Sequence, residues 1–420
     1  MKRIQRYKIG VVSLGCPRNL VDSESIISRL RRKGYEIVDV DKADVAIVNT
    51  CAFIDDAKRE SVGVILDLIG MKKEGRLKKM VVYGCLSQRY RDKLSKELPQ
   101  VDAFVGRLSL NHEKERAFSL TPAHYAYLKI CEGCINKCSY CIIPQIKGAF
   151  SSLDAETVAR KFALLDQAGV KEVNIIGQDI TAYGTDLGSV VKLPMLLRRL
   201  LKEAKNVSWI RLLYLYPRRI NDELLDLIRD EPKICKYIDL PIQHINARIL
   251  KLMRRNVNRK EILEIIEKIH RKVPEAAIRT SLIVGFPSET DKEFQELLDF
   301  IREAKFERMG AFIYSREEGT AAYNLPGQVP LKIRRERLEA LMLQQQAVSR
   351  AVNRRFLGED IDVLIDEKEK GRFYLGRTQY DAPEVDGSVY VQSQAALEPG
   401  DMARVKITDT LEYDLVGKAA

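Results

Sequence analysis

Four of the chain's eight cysteines fall within eleven residues, Cys131-Glu-Gly-Cys134-Ile-Asn-Lys-Cys138-Ser-Tyr-Cys141. They follow the apolar run Tyr125 to Ile130. Cys134, Cys138 and Cys141 have the spacing C-x3-C-x2-C. Three thiolates so close can bind one face of a cubane iron–sulfur cluster and leave its fourth iron open. A zinc knuckle would set two C-x2-C steps about a dozen or more residues apart. Here only three residues separate Cys134 from Cys138. A disulfide framework needs an oxidising compartment, and Met1-Lys-Arg-Ile-Gln-Arg lacks the apolar segment of a secretory signal. No apolar run is long enough to cross a bilayer. The expectation is a soluble, cytoplasmic chain with reduced thiols and no membrane contact.

The 420 residues suggest about three domains. From Tyr7 to Phe118, short apolar runs alternate with helical patterns. Lys8–Leu14, Val45–Asn49 and Met80–Tyr83 read as strands, with helices at Ser23–Lys33 and Asp56–Gly70. That alternation predicts an open parallel sheet covered by helices. A cysteine follows each strand: Cys16 in Ser-Leu-Gly-Cys-Pro, Cys51 in Val-Asn-Thr-Cys, and Cys85 in Val-Tyr-Gly-Cys. The carboxyl ends of parallel strands line one crevice, so these three should converge as a second three-cysteine cluster.

From His124 to Asn353, strands at Glu172–Gly177, Ile210–Tyr216, Tyr237–Ile242, Ile278–Val284 and Met309–Tyr314 alternate with helices. Six β/α steps are too few for an eight-fold barrel and suit a partial, open one. The strand ends Gln178-Asp179, Gln243-His244 and Gly285-Phe286-Pro287 should face the cleft holding the cysteine loop. Arg334 to Arg355 reads as a charged helix with Gln344-Gln345-Gln346 on a solvated face. From Phe356 to Gly417, five short strands between turn signals predict a small antiparallel β-barrel of the oligonucleotide-binding kind. Residues 356–420 carry 7 Lys and Arg against 14 Asp and Glu, a net of −7. Residues 1–355 then carry +18 of the total of +11. An acidic barrel would repel phosphate and attract a basic partner.

Taken together, these features resemble the radical S-adenosylmethionine methylthiotransferases over essentially the whole chain. The last segment resembles their TRAM domain. The resemblance divides the chain into an N-terminal α/β domain (1–118), a radical S-adenosylmethionine core with a partial (β/α)6 barrel (119–355) and a TRAM barrel (356–420). Ser13-Leu-Gly-Cys-Pro-Arg-Asn-Leu-Val-Asp-Ser-Glu24, Ile176-Gly-Gln-Asp-Ile-Thr-Ala-Tyr-Gly184 and Gly376-Arg-Thr-Gln-Tyr-Asp-Ala-Pro-Glu384 look like the branch that modifies small-subunit ribosomal protein S-twelve. The tRNA-modifying branch usually has Gly-Cys-Gln-Met-Asn at the first of these. It remains the alternative, acting on an isopentenyl- or threonylcarbamoyl-adenosine.

The resemblance implies two [4Fe-4S] clusters. Cys134, Cys138 and Cys141 would hold the one that binds S-adenosylmethionine and generates a radical. Cys16, Cys51 and Cys85 would hold the one that carries the transferred sulfur. The radical would take a hydrogen from the β-carbon of an aspartate, beyond the reach of acid–base groups, and a second S-adenosylmethionine would methylate the sulfur. A reductant such as flavodoxin or ferredoxin would supply electrons to a monomer. Tyr140 would stack on adenine or pack in the core. Gly177 and Gln178 would approach the methionyl part, and Gln243 and Gly285 the ribose or adenine. Three positions depart from the family's pattern: Cys131 replaces a serine, Lys147-Gly148 an Arg-Gly, and Leu153 a second arginine. Cys235 reads as a core residue and His244 as a structural histidine. A metal-bearing RNA- or ribosome-binding protein would explain the basic body and the barrel, but not two open three-thiolate sites.

Overall fold

The computed structural model describes residues 7–106, 119–188 and 191–419. The expected domain boundary at Phe118 lies outside them. Strands β1 (Lys8–Ser13), β2 (Glu36–Ile37), β3 (Val45–Thr50), β4 (Lys79–Gly84) and β5 (Ala103–Val105) form one sheet in the order β2-β1-β3-β4-β5. All four pairings are parallel. In this order the chain reverses its direction of travel between β1 and β3, and the crevice of such a sheet opens at that point. Cys16 and Cys51 stand on its two sides.

Helices α1 (Pro17–Arg32), α2 (Asp55–Lys73) and α3 (Cys85–Glu97) follow β1, β3 and β4. Helix α1 starts at Pro17, six residues before the expected Ser23. Proline suits the first helical position, where its missing N–H has no partner to lose. Ser23, the expected start, is buried within the helix together with Glu24 and Ser28. Tertiary packing overrides the local pattern, and Cys16 becomes the helix N-cap.

The core contains six parallel strands: β6 (Tyr125–Lys129), β9 (Glu172–Ile176), β10 (Trp209–Leu212), β11 (Tyr237–Asp239), β12 (Ala277–Val284) and β13 (Arg308–Ile313). The pair β7 (Cys131–Glu132) and β8 (Ser151–Ser152) flanks the cysteine loop. Ladders β10-β9-β6 and β11-β12-β13 meet through a parallel bridge between Ile210 and Ile234, giving the open six-strand barrel. Strand β10 is shorter than expected because Tyr214 adopts φ +66 and its N–H turns to the Asp239 carboxylate at 2.8 Å. Between the strands run α4 (Ile143–Lys147), α5 (Ala155–Gln167), α6 (Leu193–Glu203), α7 (Asp222–Asp230), α8 (Ala247–Leu252), α9 (Arg259–Lys272) and α10 (Asp291–Ala304). One continuous apolar core joins strands to helices, from Leu128 and Val173 through Leu212 and Ile238 to Leu341. Helix α11 (Leu331–Asn353) packs on β13. Gln345 on it is not solvated: it is buried and donates to the Phe306 carbonyl at 2.9 Å.

Strands β14 (Asp360–Lys368), β15 (Phe373–Thr378), β16 (Val389–Gln392), β17 (Met402–Thr410) and β18 (Leu415–Ala419) close into a barrel, β14-β15-β16-β18-β17. The expected all-antiparallel pattern fails at one place, where β16 and β18 run parallel. Direction cannot alternate all the way round a closed ring of five.

The barrel docks on the amino ends of the core strands through buried charges. Arg211 Nε and Arg377 Nη1 each donate to Glu172 at 2.7 Å. Arg377 Nε donates to Asp366 at 2.8 Å, and Asp366 also meets His124 Nε2 at 2.7 Å. Arg308 bonds Asp381 at 2.6 Å, and Tyr125 and Tyr237 donate to Glu384 and Asp386. The Gly376–Glu384 motif is therefore a clasp between domains, far along the strands from the cysteine loop. Four of the tail's acids answer the core's own donors, so the barrel's outer face is less acidic than its composition suggests.

Among the described residues no helix is long and apolar enough to cross a membrane.

Burial favours protonation of Asp366 and Glu172, but the His124 hydrogen bond and the guanidiniums of Arg377 and Arg211 outweigh it and hold both below their ordinary values. A depressed folded-state value adds stability above the ordinary carboxylate range, and that stability is lost as pH falls below about 4. Limited proteolysis across an acid titration should release the barrel before the body unfolds. Arg377→Met should weaken docking at neutral pH by about 1–3 kcal/mol, because it leaves Glu172 with Arg211 alone and Asp366 with His124 alone. A variant as protease-resistant as the parent would contradict this reading of the interface.

Candidate iron–sulfur sites

The three N-terminal cysteines are drawn together by backbone contacts around Asn19. Asn19 Nδ2 donates to the carbonyls of Leu14 (3.0 Å) and Thr50 (3.2 Å), and its Oδ1 accepts from Cys85 Sγ at 3.7 Å. One amide thus touches the loops carrying Cys16, Cys51 and Cys85. Gly15 (φ +91) lets the first two meet: a Cβ there would lie 2.7 Å from Cys51 Cβ. Gly84 (φ +100) does the same before Cys85, where a Cβ would strike Asn49 Oδ1 at 2.4 Å.

The thiols differ electrostatically. Burial would raise Cys16, but Arg18 more than offsets it and brings Cys16 below its ordinary value. Burial raises Cys51 and pushes Cys85 up to about 12, with the neighbouring thiols adding to both.

The second loop is braced from three sides. Ser139 N donates to Met253 O at 2.9 Å and Ser139 Oγ to Leu252 O at 2.7 Å. Asn136 Nδ2 donates to the buried Asp179 at 2.8 Å, and Arg219 bonds both residues. Arg255 Nη1 lies 3.8 Å from Cys138 Sγ. Burial pushes Cys141 up to about 12, and the thiols of Cys138 and Cys134 add to it. Burial likewise raises Cys134.

Among the described residues no three of His, Cys, Asp or Glu converge as a single-ion site. Soft thiolates with cations close by suit an anionic thiolate–cluster assembly.

Arg18 joins the two sites. Beside Cys16, it donates from Nη1 to Gly177 O at 2.8 Å and lies over the Tyr214 ring at 4.7 Å. Its charge also lowers Cys141. Behind it, a buried charge cluster bolts α1 to the core. Asp22 pairs with Lys129 and with Lys147 (3.1 Å), and Glu132 pairs with the same two lysines at 2.8 and 3.4 Å. Burial would raise Glu132, but Lys129 and Lys147 hold it down to about 2.

Comparison with known proteins agrees with this geometry. Residues 128–301 match the radical SAM superfamily model, residues 8–106 the model described as uncharacterized protein family UPF0004, and residues 357–420 the TRAM domain. Proteins named ribosomal protein uS12 methylthiotransferase RimO are similar end to end. The one from Pelobacter propionicus is 44% identical over 100% of this chain and 99% of its own. Those from Geobacter sulfurreducens and Clostridioides difficile are 45% and 43% identical, each over 98% of both chains. The chain belongs to the radical S-adenosylmethionine methylthiotransferase family. Its cofactors therefore include S-adenosylmethionine and an iron–sulfur cluster. Among solved structures, the radical S-adenosylmethionine methyltransferase TsrM of Kitasatospora setae aligns with TM-score 0.53 at 14% identity, over 72% of each chain. The cobalamin-dependent S-adenosylmethionine radical enzyme OxsB aligns with TM-score 0.52 at 11% identity, over 81% of this chain and 56% of its own. At such identities the likeness is one of fold.

The other expected site residues fall in several settings. Tyr140 packs against Ile249, Met253 and Phe286, beside Cys138 and Arg255; burial raises its hydroxyl well above the ordinary value. Gln178 Nε2 donates to Glu132 at 3.2 Å, while its buried Oε1 has no partner. Gln243 stands at φ +73 and bridges to Leu282 at the end of its strand. Gly177 serves Cys131: a Cβ there would lie 2.3 Å from Cys131 Sγ. Cys131 itself is fully buried, donates towards Asp179 O at 3.8 Å, and is raised far by burial, as befits an inert thiol. Gly285 (φ +69) forms a turn whose open side is filled by Arg334, with its N–H on Glu289. His244 is fully buried: its Nδ1 accepts from Asn246 N at 3.0 Å and its Nε2 lies 3.5 Å from Glu289. Cys235 is buried in the core as expected.

Asp179, expected at a strand end facing the cysteine loop, stands there on Asn136, whereas nothing in the sequence signals the parts played by Asn19, Arg18 and Arg255. No spacing marks them, since each matters only through residues distant along the chain. In metal-free protein, alkylation near neutral pH should label Cys16 faster than Cys51 and Cys85, because a lowered thiol is more often thiolate. Equal rates by peptide mass spectrometry would contradict the role given to Arg18.

Proposed function

We propose that this chain replaces a hydrogen on the β-carbon of an aspartate in ribosomal protein uS12 with a methylthio group, through two four-iron clusters. The observation that carries the reading is the pair of three-cysteine sites meeting at Arg18. It stands in a chain 43–45% identical, end to end, to proteins named as uS12 methylthiotransferases. Cys134, Cys138 and Cys141 hold the first cluster, and Cys16, Cys51 and Cys85 the second. When bound, these groups and S-adenosylmethionine supply a radical able to take an unactivated hydrogen, a transferable sulfur and a methyl group.

The protein's part is position, charge and exclusion of water. Asn19 holds the three N-terminal loops in register. Arg18 offsets the thiolate charge between the sites. The paired Asp22, Lys129, Glu132 and Lys147 fix the distance between the domains without leaving a bare buried charge. Tyr140 and Gln178, at the loop and the neighbouring strand end, contact S-adenosylmethionine, with Gly177, Gln243 and Gly285 shaping the strand-end turns around it. Residues 1–118, 119–355 and 356–420 act as the functional units of a cytoplasmic monomer. Electrons come from a flavodoxin- or ferredoxin-like protein. No observation favours the tRNA reading.

Single-turnover assays with uS12 and with tRNA decide between substrates. Mass spectrometry should find one aspartate of uS12 carrying S–CH3 in place of hydrogen. Sulfur transfer to tRNA alone would overturn the proposal. Anaerobic reconstitution should give about eight irons per chain, falling to about four when either trio is changed to alanine. Loss of Cys134, Cys138 and Cys141 should abolish 5′-deoxyadenosine formation. Loss of Cys16, Cys51 and Cys85 should leave it intact while abolishing sulfur transfer.

A further inference from the structure

A cavity of about 850 Å³ opens beside the cysteine loop, at the carboxyl ends of the core strands. Its wall carries Lys137, Arg218, Lys251, Arg254 and Arg255 against one carboxylate, Glu261. Only Arg218 approaches that carboxylate, at 3.7 Å. Among the described residues Lys137, Lys251 and Arg254 have no acidic partner. The clustering comes at some conformational cost. Arg254 adopts φ +53, a region that disfavours side chains, and so points outwards while Arg255 turns in towards the thiols.

Arg255 is a wall shared by the groove and the first cluster site, since its Nη1 lies 3.8 Å from Cys138 Sγ. Ile135 and Lys137, both exposed, line the groove from within the cysteine loop itself. Whatever sits here therefore touches the loop between Cys134 and Cys138. A Lys- and Arg-rich ribosomal protein would be repelled by the groove. An acidic protein would be steered into it.

We propose that this groove is the docking surface for an acidic, low-potential electron-transfer protein, with Lys137, Arg218, Lys251 and Arg254 steering it and Ile135 making the apolar contact. The inference rests on the proposed first cluster at Cys134, Cys138 and Cys141. The reaction consumes one external electron for each radical generated, and that electron must enter close to this cluster. One electron leaves the donor, turning a flavin hydroquinone to semiquinone or oxidising an iron–sulfur centre by one equivalent, and enters the first cluster. No bond or proton crosses the interface. Such an encounter is brief and governed by charge.

The test measures association of reconstituted enzyme with a bacterial flavodoxin, for the parent and for the Lys137→Glu, Lys251→Glu, Arg254→Glu triple variant. At low salt the association rate should fall by roughly 10- to 1,000-fold in the variant, and the gap should close as salt screens the charges. Lys251→Gln alone should shift the rate in the same direction by less. Dithionite, which needs no docking surface, should bleach the visible cluster absorbance of parent and variant alike. Equal association rates would overturn the proposal. So would loss of binding to a single-stranded RNA oligonucleotide with flavodoxin binding retained, which would make the groove a nucleic-acid surface. If dithionite bleached neither protein, the cluster reading itself would fall, and this inference with it.

Discussion

Two thiol-lined sites on different domains can work together only if the charges between them are paired out of water. Asp22, Lys129, Glu132 and Lys147 meet that condition. Two anions and two cations alternate in a closed set, each almost fully buried. Burying one such ion alone would cost several kcal/mol, so the set constrains geometry more than it adds stability. With α1 fixed in this way, Arg18 reaches across to the Gly177 carbonyl at a strand end of the core. Lys147 stands where the family usually has arginine, yet it still answers both carboxylates. Position of charge matters here more than the guanidinium's fork.

The far end of the core is closed by the same device with other residues. Glu172, Arg211, Arg377, Asp366 and His124 seal the barrel against the strands' amino ends. This changes the meaning of the tail's composition. A net of −7 suggests a surface that attracts a basic partner, but part of that charge is consumed by the body's own arginines. The exposed remainder is weaker support for a protein substrate than the end-to-end similarity to uS12 methylthiotransferases. The two ends of the core have opposite characters: a static, fully paired clasp at one, and unpaired exposed cations beside the cysteine loop at the other.

Much of this was legible in the sequence because the relevant periods are short. Strand–helix alternation, a cysteine after each of three strands, and C-x3-C-x2-C are local patterns, and the strands and loops stand where those patterns place them. What was not legible depends on contacts distant along the chain. Helix α1 begins at Pro17 because Ser23 and Glu24 are needed inside, not as caps. Gln345 is buried because Phe306 offers it a carbonyl. Gly177 is held close against Cys131, and Gly285 against Arg334. Asn19 looks like any polar helix residue until Leu14, Thr50 and Cys85 are brought around it.

The central claim is that six cysteines from two domains hold two separate open clusters that meet at Arg18. X-ray diffraction at the iron absorption edge, from crystals of anaerobically reconstituted protein, tests it most directly. Two iron peaks are predicted, one bonded by Cys134, Cys138 and Cys141 and the other by Cys16, Cys51 and Cys85, each lacking a fourth protein ligand. A single iron peak, or a signal at the zinc edge in place of either, would contradict it.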